Sequence, residues 1–178
     1  MSAVATRLQA TAPMVLAPRL ACRLAPRPRI APVDGRDVEL RNLTYRHVVE
    51  TGWAPTPSQV AVSAGTDEAE VSAAWRRLHH AHALVLDDRG AIRMLNPFSA
   101  VPTTFRVTVG ERAWFANCGW DAFGIGAALH EDSVIDAECA DCHEPLRVQV
   151  RDGRPDQGDL LWHVLVPARA WWADIGST

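Results

Sequence analysis

The chain has 178 residues, of which 48% are apolar and 22% are charged, and this composition is typical of a folded globular protein. The formal net charge of -3 argues against a nucleic-acid binder held by bulk electrostatics, since such domains are usually strongly basic. No apolar run approaches the roughly 18 residues that a membrane-spanning helix requires, which argues against an integral membrane protein. The 4 cysteines are too few for a disulfide scaffold, so we expect a reduced, cytoplasmic environment.

Residues 1–35 are predicted to form a disordered extension. The segment is rich in arginine, alanine and proline, and its first acidic residue is Asp34. An Arg-rich start without acidic residues is also the composition of an organelle transit peptide, which is the alternative interpretation. Cys22 lies in this extension, and we assign it no role.

Residues 36–96 are predicted to form a winged-helix-like module of three helices and a hairpin. The predicted elements are helices at 41–51, 59–63 and 67–82, the last capped by Thr66, and strands at 84–86 and 91–95. Such modules commonly place the third helix in the DNA major groove. Here that helix begins with Asp67, Glu68 and Glu70, where a DNA reader needs hydrogen-bond donors. A structural or protein-contact role is therefore favoured, and DNA binding is the alternative.

Three histidines near the end of that third helix resemble a metal cluster. Residues adjacent on a helix point in different directions, so of His79, His80 and His82 only the first and last could share a ligand. A surface role is the favoured interpretation.

The segment 97–178 contains a cysteine and an aspartate at a predicted strand-to-helix junction. Strands at 104–109 and 112–116 precede Cys118, and an apolar helix at 120–129 follows it. Free amides of a first helical turn lower thiol pKa values, and Asp121 lies three residues further on. Such a pair is expected to share a proton and could attack a soft electrophile. Alternatively, Cys118 is a buried apolar residue and Asp121 only caps the helix.

A second cysteine motif lies between predicted strands at 133–138 and 146–150. It contains Cys139, Cys142 and His143, whereas a closed structural zinc site requires four ligands. Cys118 would complete the count, but nothing in the sequence shows that these residues converge. A dithiol redox pair and a tight turn are the alternatives. The last predicted elements are a strand at 160–167 and a helical turn at 168–175.

Three runs of the sequence resemble the alkylmercury (organomercurial) lyases. They are NPFSAVPT at 96–103, WFANCGWDAFGI at 114–125 and CADCHEP at 139–145. The resemblance covers about residues 36–178, and its specific part is the Cys-x-x-Asp junction. It implies an α+β fold, with the winged-helix-like module at 36–96 followed by a small antiparallel sheet domain at 97–178.

The resemblance also implies a reaction, the cleavage of a carbon–mercury bond in organomercury compounds. Cys118 would bind mercury as a thiolate, and Asp121 would relay a proton to the departing carbon. The Hg(II) product would pass to small cellular thiols or to a mercuric-ion acceptor protein. No cofactor is expected for the reaction, while zinc is an option at the Cys139–Cys142 motif.

In the family, a second cysteine completes a two-sulfur grip on Hg(II). It follows the stretch corresponding to residues 164–167 and 172–176, and this sequence reaches Thr178 at about that point. We therefore expect a catalytic domain that is short at its C-terminus, with Cys139 or Cys142 as the available substitute, while the resemblance implies a structural role for the cysteine at the position of Cys139. The competing interpretations are a non-catalytic thiol- or zinc-binding module and a regulator that senses thiophilic metals.

Overall fold

The computed structural model describes residues 33–161, 170–172 and 175. The predicted extension up to residue 32, Cys22 included, lies outside the described residues. So do residues 162–169, which hold most of the predicted strand at 160–167, and positions 173–174 and 176–178.

Three helices open the described part of the chain: α1 (Gly35–Thr51), α2 (Pro57–Ala64) and α3 (Glu68–His80). Helix α1 begins earlier than predicted because the Asp34 carboxylate accepts a hydrogen bond of 2.8 Å from the Arg36 N–H. It ends as predicted at Gly52, whose φ of 81° favours glycine. A reciprocal capping box between Thr56 and Gln59 starts α2.

The boundaries of α3 differ from the prediction at both ends. Asp67, rather than Thr66, is the N-cap, because its carboxylate accepts a hydrogen bond of 2.8 Å from the Glu70 N–H. The Thr66 hydroxyl instead donates to the Glu70 carboxylate. The helix ends at His80 and not at 82, since His82 adopts a left-handed backbone with a φ of 60°. No helix in the described ranges is long and apolar enough to cross a membrane.

Eight strands of the described chain form one antiparallel sheet, and a fourth helix packs on it. In chain order these are β1 (Val85–Leu86), β2 (Ile92–Leu95), β3 (Phe98–Ser99), β4 (Arg106–Val109), β5 (Arg112–Ala116), α4 (Gly119–Leu129), β6 (Ser133–Glu138), β7 (Pro145–Arg151) and β8 (Arg154–Pro155). The order across the sheet is β1-β2-β3-β5-β4-β6-β7-β8. The two-residue strands β3 and β8 were not predicted, because such short strands carry no periodic pattern.

The predicted α+β class is confirmed, but the sheet is larger than the small sheet expected at 97–178. Strand β3 pairs with β2 on one side and with β5 on the other, which joins the hairpin of the helical segment to the remaining strands. One apolar core extends from Leu40 in α1 to Val148 in β7. The division at residue 96 stays a prediction, and both the sheet and the core run across it.

Two buried tryptophans fix α1 to the rest of the protein. The Trp75 indole N–H donates to the Thr44 hydroxyl at 3.1 Å, and that hydroxyl donates to the Leu40 carbonyl at 2.8 Å. The Trp114 indole N–H donates to the Val48 carbonyl at 2.8 Å. The Val48 carbonyl also accepts a hydrogen bond of 2.8 Å from the Gly52 N–H, so the Trp114 indole is its second donor and anchors β5 to the end of α1.

Two of the histidines at the end of α3 contact other parts of the described chain, one in β1 and one near the C-terminus. His79 Nδ1 accepts a hydrogen bond of 3.1 Å from the Leu86 N–H. The rings of His82 and Trp172 stack, with 3.8 Å between their centroids. One imidazole nitrogen of His79 and one ring face of His82 are therefore used in packing, and the predicted surface role of these histidines stays a prediction.

Helix α4 approaches its neighbours closely at its two internal glycines. A Cβ at Gly126 would lie 2.6 Å from the Ser133 Oγ and 3.0 Å from the Ser133 Cβ, and a Cβ at Gly124 would lie 3.2 Å from the Pro97 Cβ. These glycines, which weaken the helix locally, let α4 sit close to β6 and to the loop before β3.

We predict that Gly126→Ala lowers the free energy of unfolding by about 1–2 kcal/mol, because overpacking against buried Ser133 outweighs the gain in helix propensity. Denaturant unfolding measures the change. Gly35→Ala is the matched control, since a Cβ there meets nothing within 4 Å. Equal stability changes in the two variants would contradict the close approach of α4 to β6.

Candidate active site

Cys118 lies where β5 turns into α4, as predicted. It is the N-cap residue of α4, with an extended backbone (φ -154°, ψ -179°), and its side chain is half-buried. The thiol makes no capping hydrogen bond of regular geometry, but the amide N–H groups of Trp120 and Asp121 face the sulfur closely enough to stabilise a thiolate.

The pKa of the Cys118 thiol is raised, opposite to the fall expected from its place at a helix N-terminus. Burial is the largest cause, because it disfavours the charged thiolate, and the negative charge of Asp121 raises the pKa further. The two amides act in the other direction and do not compensate. The free site therefore favours a protonated thiol whose ionised form already has hydrogen-bond donors.

Asp121 is also half-buried, and burial raises the pKa of its carboxyl group. The Asn117 side-chain amide donates a hydrogen bond of 2.9 Å to the Asp121 Oδ2, which favours the ionised form and partly opposes that rise. The carboxyl can thus hold a proton and still has a donor that stabilises the carboxylate once the proton has left. This suits a proton donor better than a simple helix cap.

Asn117, which was not predicted to be a site residue, connects this pair to residues 96–98 at the start of β3. Its amide nitrogen also lies 3.1 Å from the Asn96 Oδ1, 3.4 Å from the Pro97 carbonyl and 3.3 Å from the Phe98 carbonyl. Its carbonyl oxygen is buried without a hydrogen-bond partner. The one feature of the sequence that could have indicated Asn117 is its position as a polar residue directly after an apolar strand.

Tyr45 of α1 also belongs to the surroundings of the site and was likewise not predicted. Its hydroxyl donates to the Asn96 carbonyl at 3.1 Å, and its ring meets Phe98 edge-on at 6.5 Å. Burial raises the pKa of Tyr45, and the negative charge of Asp121 adds to the rise. The helical segment therefore contributes a side chain within electrostatic reach of the carboxyl group.

Two large aromatic side chains on α4, both close to this pair in the sequence, are exposed to solvent. Trp120 is 63% exposed and Phe123 is 43% exposed. They provide apolar surface on the helix that carries Asp121.

The second cysteine motif forms the turn between β6 and β7. Cys139 and Cys142 lie close together in this turn, and the Cys142 side chain is one of the groups that lower the pKa of the Cys139 thiol. Within the described ranges, no three side chains of His, Cys, Asp or Glu converge to hold one metal ion, so Cys118 does not complete a set with this motif. Zinc at the motif stays a prediction.

The site is thus a thiol–carboxyl pair at a strand-to-helix junction of an antiparallel α+β fold. The family model of alkylmercury lyase (MerB) matches residues 98–178, a range that contains both cysteine motifs and Asp121. The resemblance predicted from the sequence is therefore confirmed over this segment.

A solved structure agrees with this result. The crystal structure of the mercury-bound form of MerB2 is 26% identical in sequence, with a TM-score of 0.57. The match covers 72% of this chain and 62% of that chain, so this chain spans less than two thirds of that protein's length. No curated protein matches the sequence.

We predict that Asp121→Asn lowers the pKa of the Cys118 thiol, because it removes a neighbouring negative charge and keeps the amide donors. The rate of alkylation by iodoacetamide, followed on the Cys118 peptide by mass spectrometry, should therefore reach its half-maximum at a lower pH. Asp88→Asn, in an exposed turn, is the charge-matched control and should leave the profile unchanged. An unshifted profile in Asp121→Asn would show that the two groups are not coupled.

Proposed function

We propose that this chain is an organomercurial lyase in which Cys118 and Asp121 cleave carbon–mercury bonds by protonolysis. The observation that carries the proposal is the half-buried pair itself, in which the thiol and the carboxyl group both have raised pKa values and both have donors for their ionised forms. The match of residues 98–178 to the alkylmercury lyase model supports the choice of substrate.

In the first step, the Cys118 sulfur replaces the thiolate that accompanies the organomercurial. A sulfur–mercury bond to Cys118 forms, the bond from mercury to the departing thiolate breaks, and the Cys118 proton leaves on that thiolate as a free thiol. Mercury is a soft metal for which thiolates are preferred ligands. The amides of Trp120 and Asp121 stabilise the negative charge on the sulfur during this exchange.

In the second step, the Asp121 carboxyl group protonates the carbon bound to mercury. The electron pair of the carbon–mercury bond becomes the new carbon–hydrogen bond, the hydrocarbon leaves, and mercury remains Hg(II) throughout. Burial raises the pKa of Asp121 and so favours its protonated form before this step, and the Asn117 amide then stabilises the carboxylate. The carboxylate is left beside the Hg(II) that Cys118 holds, which balances the charge.

In the last step, two external thiols remove the product. Their protons return to the Cys118 sulfur and to the Asp121 carboxylate, and Hg(II) leaves as a dithiolate complex. The free protein is restored without any change of oxidation state, so small cellular thiols are the co-reactants that the cycle requires.

The contacts of the helical segment favour a structural role over DNA recognition. Arg77 of α3 is paired with buried Asp37 of α1 through hydrogen bonds of 2.6 and 2.8 Å. Arg36 similarly bonds Glu70 in the first turn of α3 at 2.9 Å. These guanidinium groups hold helices together, and the α3 N-terminus stays acidic.

We predict that purified protein, with phenylmercury and excess thiol, releases benzene, that Cys118→Ser abolishes the release, and that Asp121→Asn slows it by about 100-fold or more. Headspace chromatography measures the product. Asp121→Asn should still bind the organomercurial through Cys118, whereas Asp88→Asn should behave as wild type. Equal inactivity of the wild type and Cys118→Ser would refute the proposal for this chain.

The Asn117 amide gives a separate prediction. Asn117→Ala removes the donor that lowers the pKa of Asp121, so that pKa should rise further. The high-pH limb of the rate profile should then move to higher pH, while the maximal rate falls because the carboxylate product is less stable. A lower rate with an unmoved limb would indicate a purely structural loss.

A further inference from the structure

The turn between β6 and β7 is a closed knuckle that holds two free thiols. The Cys139 N–H donates to the Glu144 carbonyl at 2.9 Å, and the His143 N–H donates to the Cys139 carbonyl at 3.0 Å. His143 takes a left-handed backbone with a φ of 60°, which completes the turn. Cys142 is exposed and Cys139 is partly exposed, so the pair is open to solvent.

The two sulfurs differ in their surroundings. The amide N–H groups of Asp141 and Cys142 and the Cys142 thiol all donate toward the Cys139 sulfur, and they lower its pKa. Cys142 supplies an exposed second sulfur directly beside it. The closed turn therefore holds the two thiols side by side and open to solvent.

The number of available ligands indicates the kind of ion that fits. A closed zinc site needs four ligands, whereas no set of three converges anywhere in the described part of the chain. The Nδ1 atom of His143, the next residue in the motif, lies 2.6 Å from the Glu138 Oε1, and this residue does not complete a set of three with the two sulfurs. A soft cation that accepts two thiolates in a line, such as Hg(II), needs only the two sulfurs present.

Cys118 and this dithiol lie at the same end of the strands, where β5 and β6 leave the sheet. Strands β5 and β6 flank β4 and are both antiparallel to it, so they run in the same direction. Phe115 in β5 and Asp136 in β6 both pair with Arg106 and so lie at the same level of the sheet. Cys118 and Cys139 each follow three residues later in their own strand's direction. Since neighbouring strands lie about 4.8 Å apart, the two motifs leave the sheet roughly 10 Å from each other.

We propose that Cys139 and Cys142 form a second mercury site, which takes up the Hg(II) that Cys118 releases. The source of the ion rests on the proposed function, whereas binding by the dithiol does not. This transfer takes the place of the attack of external thiols at Cys118, and those thiols then remove Hg(II) from the knuckle. Two sulfur–mercury bonds form at the knuckle, and the bonds of Hg(II) to Cys118 and to the Asp121 carboxylate break. The two thiol protons of the knuckle pass to the Cys118 sulfur and the Asp121 carboxylate, and mercury stays Hg(II).

Binding is tested in a full-length Cys22→Ser/Cys118→Ser variant, which keeps only the knuckle thiols. With mercuric chloride and a non-thiol reductant, we expect one Hg(II) per chain by mass spectrometry. Loss to a competing monothiol should be roughly tenfold slower or more than in the same variant with Cys142→Ser added, because the second sulfur acts at high effective concentration. Equal loss from the two variants, or no binding, would overturn the dithiol site.

Transfer is tested in the wild type and in Cys142→Ser after one equivalent of phenylmercury. Peptide mapping should find Hg(II) on the peptide that contains Cys139 and Cys142 in the wild type, and not in the variant. Mercury that stays on the Cys118 peptide of the wild type would overturn the transfer. Benzene in the headspace reports separately on cleavage, so absence of benzene refutes the lyase while the binding experiment still decides the dithiol.

Discussion

The hydrogen bonds of the Asn117 amide are the constraint on which the rest of the site depends. This one nitrogen, which has two hydrogens to donate, lies within hydrogen-bond distance of the Asn96 side chain, of the Pro97 and Phe98 carbonyls at the start of β3, and of Asp121 in the first turn of α4. Helix α4 meets the same loop again at Gly124, which lies against Pro97. Because the loop contacts the helix at two points, the orientation of Asp121 relative to Cys118 is fixed before any substrate binds, and little reorganisation is needed during reaction.

Partial burial gives this pair its chemical character. A solvent-exposed cysteine and aspartate would be a mostly neutral thiol beside a carboxylate, whereas burial raises both pKa values and keeps the acid proton available. A protonated Cys118 thiol can still bind mercury, because the organomercurial arrives bound to a thiolate. That thiolate accepts the Cys118 proton as it leaves. The same burial that disfavours the Cys118 thiolate also favours the protonated form of Asp121, and the second effect serves the difficult step, the breaking of the carbon–mercury bond.

The sequence predicted those parts of the structure that depend on local pattern. Alternating residues identified β4 and β5, and so placed Cys118 at the junction with α4, as observed. Asn117 and Tyr45 were missed because their partners are distant in the chain: Asn117 reaches back to Asn96, and the Tyr45 hydroxyl bonds the carbonyl of the same residue. The direction of the Cys118 pKa shift was wrong for a related reason. Local spacing shows the helix amides, but the burial that outweighs them is a property of the whole fold.

The direction in which Hg(II) would move between Cys118 and the knuckle follows from the ligands that each of the two sites offers. At Cys118 the ion would have one sulfur and one carboxylate, and carboxylate oxygen is a poor ligand for a soft metal. At the knuckle it would have two sulfurs, one of them Cys139 with its lowered thiol pKa. Ionising Cys118 is costly because the site is half-buried, whereas the knuckle is open to water. Both differences favour the dithiol, so the product leaves the reacting pair and the Asp121 carboxylate is free to take up its next proton.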